Sequence, residues 1–177
     1  MKTLIAFLTT VLATLWTSWA QNYYTDGSVI EDKVNCSISK YSIALTGIQQ
    51  YQYPRPDTPQ ENNVAEIKDR SVIKQALEAV FTSEELDKYN DLPLTFGIIH
   101  DAMSRPVDVW FSFDKELGQT IPPAKFVELR EKLLQLVEFR PIFQLQSGKY
   151  FSWSEDLIAP LGYYRDPRYY QPKSRTK

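Results

Sequence analysis

From Pro93 to Asp114 apolar residues recur at every second position on both sides of a short polar break. Leu94, Phe96 and Ile98 alternate with Thr95 and Gly97. Val107, Val109, Phe111 and Phe113 resume the alternation after Asp101-Ala102-Met103-Ser104-Arg105-Pro106. Successive strand side chains point to opposite faces, so this period reads as two strands, each with one face against a core. The six-residue polar connection makes them a predicted β-hairpin. In a regular hairpin Trp110 and Phe111 cannot both face inward. The one that faces out is the more informative aromatic.

Helical spacing flanks the hairpin on both sides. Before it, Val72, Ile73, Ala76, Leu77 and Val80 form an apolar stripe, with Asp69 or Ser71 placed to cap the helix. Thr82-Ser83-Glu84-Glu85 then has the pattern of a capping box and predicts a second, short helix through about Tyr89. After the hairpin, Thr120 is a candidate cap, and Pro122 and Pro123 suit a first turn, where their missing donors cost nothing. The helix predicted to follow runs to about Val137. Phe126, Leu129, Leu133, Leu136 and Val137 form its buried stripe, and Lys125, Glu128, Glu131, Lys132 and Gln135 face water.

More strand signal lies at both ends. Val34, Cys36 and Ile38, then Tyr41, Ile43 and Leu45, alternate within 29–45 and read as a bent strand or irregular hairpin. Residues 21–28 are polar and read as loose. Pro54, Pro56 and Pro59 make 51–63 a loop. Ile142, Phe143 and Leu145, a Ser147-Gly148 turn, then Tyr150, Phe151 and Trp153 read as a closing strand or hairpin. Pro160 and Gly162 read as the end of the domain. The order β, α, β, β, α, β predicts a single α+β domain. Its expected form is a split βαβ, ferredoxin-like antiparallel sheet with two main helices on one face.

Over about 71–153, this strand-turn-strand between helices, with the second helix ending in Val137-Glu138-Phe139-Arg140-Pro141, resembles the C-terminal domain of TonB-type energy transducers. It is also similar to small secreted α+β proteins of unknown function from Gram-negative bacteria. The resemblance implies a layout and no functional residues.

Residues 1–20 combine Lys2, an apolar run from Leu4 to Trp16, and small residues Ser18 and Ala20 before Gln21. This is the pattern of a cleaved secretory signal peptide, so a secreted or periplasmic protein is expected. The apolar run is shorter than the roughly 20 residues a span needs, and no later stretch is long and apolar enough to cross a membrane after cleavage. A single Cys excludes an internal disulfide in the oxidising compartment this implies. Cys36 shares a strand face with Val34 and Ile38 and is read as buried. Asn35-Cys36-Ser37 fits a glycan acceptor pattern, which matters only in a eukaryotic secretory route.

The composition removes several function classes. The net charge of −2 and 24% charged residues do not describe a disordered polyelectrolyte or a strongly basic nucleic-acid binder. One His and one Cys exclude the common zinc frameworks, and six glycines form no phosphate-cradling loop. No cofactor is expected. His100-Asp101, with Ser104 nearby, is the one place for a His-based catalyst, yet residues of one short connection rarely converge as a triad. Glu84, Glu85, Asp87 and Asp91 are the densest carboxylates. A glycosidase needs two acids across a cleft, roughly 5–10 Å apart, whereas a capping box and a solvated helix already account for these.

The charge is unevenly placed. Residues 21–162 hold 14 basic and 21 acidic positions, while 163–177 hold five basic and one acidic. This Tyr-rich basic tail supplies the candidate contact residues Tyr163, Tyr164, Arg165, Arg168, Tyr169 and Tyr170, whose rings could stack and whose cations could meet anions. The alternative is that 163–170 folds back over the sheet. Tyr51, Tyr53 and Trp153 are further candidates for a sugar-binding platform. The expected function is a non-catalytic interaction protein with a protein or glycan partner. A polysaccharide- or polyanion-binding module and a carboxylate-based hydrolase are the alternatives.

Overall fold

The computed structural model describes residues 23–49, 65–141, 150–154 (backbone only) and 159–170. The predicted leader at 1–20, the proline-rich loop at 51–63, the turn at Ser147-Gly148 and the basic end at 171–177 lie outside the described residues.

The hairpin is present as β5 (Pro93–Asp101) and β6 (Pro106–Asp114). It pairs Phe96 with Phe111 and Gly97 with Trp110. The connection is tighter than expected, because Asp101 and Pro106 both belong to strands. Asp101 Oδ1 accepts from the backbone amides of Met103 and Arg105, both at 2.9 Å, which closes the turn. Ser104 sits there at φ 61°.

The N-terminal alternation forms a meander of β1 (Val29–Ile30), β2 (Val34–Ile38) and β3 (Ser42–Gly47). Val34 and Cys36 are buried between exposed Asn35 and Ser37, as their period requires. Residues 23–28 are not loose. Tyr24 is buried, its hydroxyl donates to Ile121 O at 2.8 Å, and its ring meets Phe113 edge-on. Polar composition concealed this because one aromatic anchors the segment while Gly27 and Cys36 backbone amides zip it to β2.

The turn between β1 and β2 places Glu31 and Asp32 at φ 50° and 53°, with Lys33 N donating to Ile30 O at 3.0 Å. Left-handed backbone costs an ordinary L-residue roughly 1–2 kcal/mol, and Asn-Gly is favoured in such hairpin turns. Glu31→Asn with Asp32→Gly is therefore expected to stabilise the fold by about 1 kcal/mol, read as a raised urea midpoint. No change, or a loss, would show that these acids are held by something other than the turn.

The main sheet runs β1-β2-β3-β6-β5, then β8 (Tyr150–Ser154), with β9 (Ala159–Pro160) also on β5. All its pairings are antiparallel. β3 and β5 therefore run parallel with β6 between them, which is the expected split βαβ connection. β6 and β8 repeat it around β5. The outer edge of β3 is taken by β2, so β8 joins the sheet beside β5. A separate ribbon pairs β4 (Ala65–Ile67) with β7 (Phe139–Pro141), and the sequence period did not reveal it. Its strands have three residues each, too few to display alternation.

Helices α1 (Ser71–Val80) and α4 (Pro123–Leu136) lie together on one face of the sheet. Their buried residues close on Leu94, Phe96, Phe111 and Phe113, and Phe113 stacks on Phe126 with centroids 4.4 Å apart. Neither expected N-terminal cap holds as written. Arg70 is the cap residue of α1, with Asp69 Oδ1 accepting from Ser71 N at 2.8 Å. Pro122 is the cap residue of α4, while Thr120 donates back to Leu117 O. The capping box of α2 (Ser83–Lys88) is complete, each of Thr82 and Glu85 accepting from the other's backbone amide. The four-residue α3 (Lys115–Gly118) ends β6, with Asp114 accepting from Leu117 N.

Lys125 does not face water. Its ammonium donates to Val80 O at 2.8 Å and to Glu85 Oε2 at 2.9 Å, above the Phe81 ring. A cation at the end of α1 meets the negative end of the helix dipole and orphan carbonyls. The Thr82 amide and then Lys125 hold the Glu85 carboxyl below its usual range.

Candidate functional site

The tail residues are part of the domain. Leu161–Arg165 and Pro167–Tyr170 form two short 3-10 turns, so the fold continues past the boundary expected at Pro160 and Gly162. Tyr164 is fully buried, and its hydroxyl donates to Leu94 O at 3.1 Å. Tyr169 is buried and meets Tyr163, Tyr164 and Tyr170 edge-on at 5.1–5.4 Å, with the Arg70 guanidinium 5.3 Å from its ring centre. Tyr170 donates to Tyr164 O. The cations are paired as well: Arg165 with Asp87 at 2.9 Å, Arg168 with Asp166. That pairing holds Asp166 down at about 2. Tyr163 keeps an exposed ring, 36% accessible. Six candidates adjacent in sequence thus do not share one surface, because a turn of three residues sends neighbouring side chains to opposite sides.

His100 and Asp101 are brought together only as neighbours. His100 is fully buried at the end of β5, its ring 4.7 Å from that of Phe139. Its Nδ1 lies 3.0 Å from the backbone oxygen of Asp101, not from the carboxylate. The carboxylate serves the turn and Arg105. Burial pushes the imidazole below its ordinary value near 6.5, against the opposing Asp101 contact. The folded chain therefore takes up this proton at lower pH than the unfolded chain. Between the two values the unfolded chain binds more protons, so stability falls as pH drops below about 6.5. His100 is the chain's single His, and lowered carboxylates such as Glu85 lose their contribution only below about 4.5. The wild type is expected to lose melting temperature steadily from pH 7 to 5, and His100→Gln to show a flat profile there. Parallel profiles would remove His100 from the explanation.

The other acids are occupied locally. Glu84 and Glu85 start α2, Asp87 meets Arg165, and Asp91 accepts from Asn90. Among the described residues no three of His, Cys, Asp and Glu gather as a metal site. Cys36 is a buried free thiol, and burial raises its pKa. The apolar void of about 10 Å³ between Phe96, Leu129 and Tyr164 is too small for a ligand.

One charged pair was missed. The pairing register shifts between Ile99 and His100, opposite Pro106 and Asp108. Such a bulge re-aims side chains. Asp108, which simple alternation turns away from neighbouring core residue Val109, is itself buried and bonds Arg130 of α4 at 2.7 Å. Gly47 leaves the space it needs, since a Cβ there would lie 1.8 Å from Asp108 Oδ2. An Asp inside Val107-Asp108-Val109 was the available signal.

Among the described residues, the sheet has a second face away from the helices. The register aligns Ser37, Ala44, Ser112 and Thr95 in one row, and Asn35 with Thr46 in the next, where Trp110 stands opposite Gly97. Phe111 is the inward aromatic of the hairpin, and half-buried Trp110 is the outward one. Tyr51 and Tyr53 lie outside the described residues, as does the Trp153 side chain.

These features define a two-layer α+β protein: a mostly antiparallel sheet with helices on one face, and a second face whose two central rows carry no charged side chain among the described residues. No protein-family model matches the sequence, and no curated protein matches it significantly. Its fold is similar to the crystal structure of a DUF5043 family protein from Bacteroides uniformis. That likeness has a TM-score of 0.55 at 17% identity and covers 78% of this chain and 96% of the other. It supports the α+β class, and the neighbour belongs to a family of unknown function.

Proposed function

We propose that this chain is exported and acts outside the cytoplasm as a non-catalytic interaction module, binding through the sheet face opposite its helices. One observation carries the reading. In a chain with 24% charged residues, the rows from Asn35 and Ser37 across to Thr95 contain no charged side chain. The acids at the two ends, Asp101 and Asp114, are tied to their own turns. A surface that serves only solubility mixes both charges, whereas the centre of a contact surface is depleted of charge and enriched in aromatics. The leader-like residues 1–20 support export. No described helix is long and apolar enough to cross a membrane.

The test has two parts. Protein recovered from the periplasm or medium should begin at Gln21, and this mature chain should co-sediment with cell-envelope material. Thr46→Glu with Ser112→Glu should abolish co-sedimentation while leaving the melting temperature nearly unchanged. An uncleaved cytoplasmic chain, or binding indifferent to both charges, would overturn the proposal.

A further inference from the structure

We infer that the ligand of this face is a neutral polysaccharide, with Trp110 as the platform for one sugar ring. The inference rests on the proposed contact face and adds the chemistry of its ligand. Trp110 rests against the backbone of Gly97: a Cβ there would come within 2.4 Å of indole Cε2 and Nε1 and 2.6 Å of Cζ2. Only glycine lets the indole settle onto the sheet at this position. The side chain is half-buried, and its N–H finds no acceptor among the described residues. A buried Trp N–H ordinarily finds a partner, so an indole N–H unpaired among the described residues suits a ligand hydroxyl.

The surroundings match a sugar. A pyranose offers an apolar C–H face and a rim of hydroxyls. The C–H face suits an indole, and the hydroxyls suit short uncharged donors and acceptors such as Asn35, Thr46 and Ser112. A polyanion finds no cation on these rows. Arg165 and Arg168, the cations of the tyrosine-rich segment, are paired with Asp87 and Asp166 elsewhere.

The test is affinity electrophoresis of the mature chain through gels containing a soluble β-glucan, a xylan, a mannan or a polyuronate. Trp153→Phe leaves Trp110 as the sole tryptophan of the mature chain, read by excitation at the red edge where tyrosine does not absorb. At least one neutral polymer should retard the protein and shift its emission. Trp110→Ala should weaken affinity about tenfold, equivalent to about 1.4 kcal/mol. Trp110→Leu, which keeps an apolar cover on Gly97, should weaken it similarly and guards against a folding defect in the first variant. Retardation by polyuronate alone, undiminished binding in both variants, or no retardation by any neutral polymer would overturn the inference. If no polymer binds yet Thr46→Glu with Ser112→Glu still abolishes envelope binding, the contact face stands with a protein partner and the glycan inference alone falls.

Discussion

Arg130→Met is expected to remove about 3–5 kcal/mol of stability, read as a large fall in the urea midpoint with an unchanged slope. Asp108 has a side chain only 3% accessible, and Arg130 supplies its ion-pair partner at 2.7 Å from the helix layer. Its second bond, from Val109 N, is neutral. Removing the guanidinium leaves a buried carboxylate without a counter-charge, which costs far more than an exposed pair would. Asp108→Leu added to Arg130→Met should recover most of the loss, because two apolar groups of similar size need no pairing. Loss of less than about 1 kcal/mol in the single variant would mean that water reaches Asp108. The exposed Lys68–Glu138 pair, 54% and 73% accessible, serves as the contrast and should be nearly silent to mutation.

Tyr164→Ala is expected to cost about 3–5 kcal/mol, typical of emptying a large buried aromatic site. Tyr164 is fully buried, meets Phe96 edge-on at 5.3 Å, and anchors the C-terminal turns to β5 through Leu94 O. Tyr164→Phe isolates the hydroxyl and should cost about 1 kcal/mol. Both are read from urea melts. A small effect of the alanine variant would make the segment at 161–170 an appendage of the domain and restore its tyrosines as candidate contact residues.

The hairpin, both long helices and the capping box of α2 were legible because each is a local pattern. Period two from Leu94 to Phe113, period 3.6 from Val72 to Val80, and Thr82 to Glu85 all fall within a few turns of chain. Cys36 was legible for the same reason. Lys125 was misread because it stands at the margin of the α4 stripe, one turn before Leu129, where the end of α1 and the start of α2 meet its ammonium. The fold-back of 163–170 stood among the alternatives, and composition alone could not favour it. Tyr and Arg suit a binding surface and an aromatic clamp equally, and Asp87 and Arg70, which engage them, are remote in sequence.

The candidate site was half visible. Alternation showed that one of Trp110 and Phe111 must face out. Which one does is decided by the helices, which take the Phe111 side. Gly97, an unremarkable strand glycine in the sequence, acquires its meaning only when β5 and β6 are in register and the indole lies across it.

By itself the sequence determined the central hairpin, the N-terminal meander and the helices at 71–80, 83–88 and 123–136, which face of the hairpin strands is apolar, and that a chain with one Cys must rely on its core. These follow from side-chain spacing and local hydrogen bonding, which act over a few residues. The tertiary structure alone decided the strand order, the burial of Asp108 against Arg130, the folding of the tyrosine tail into the core, and the placing of the Trp110 indole across Gly97. Each of these joins groups far apart in the chain, and their energies exist only once packing excludes water between them.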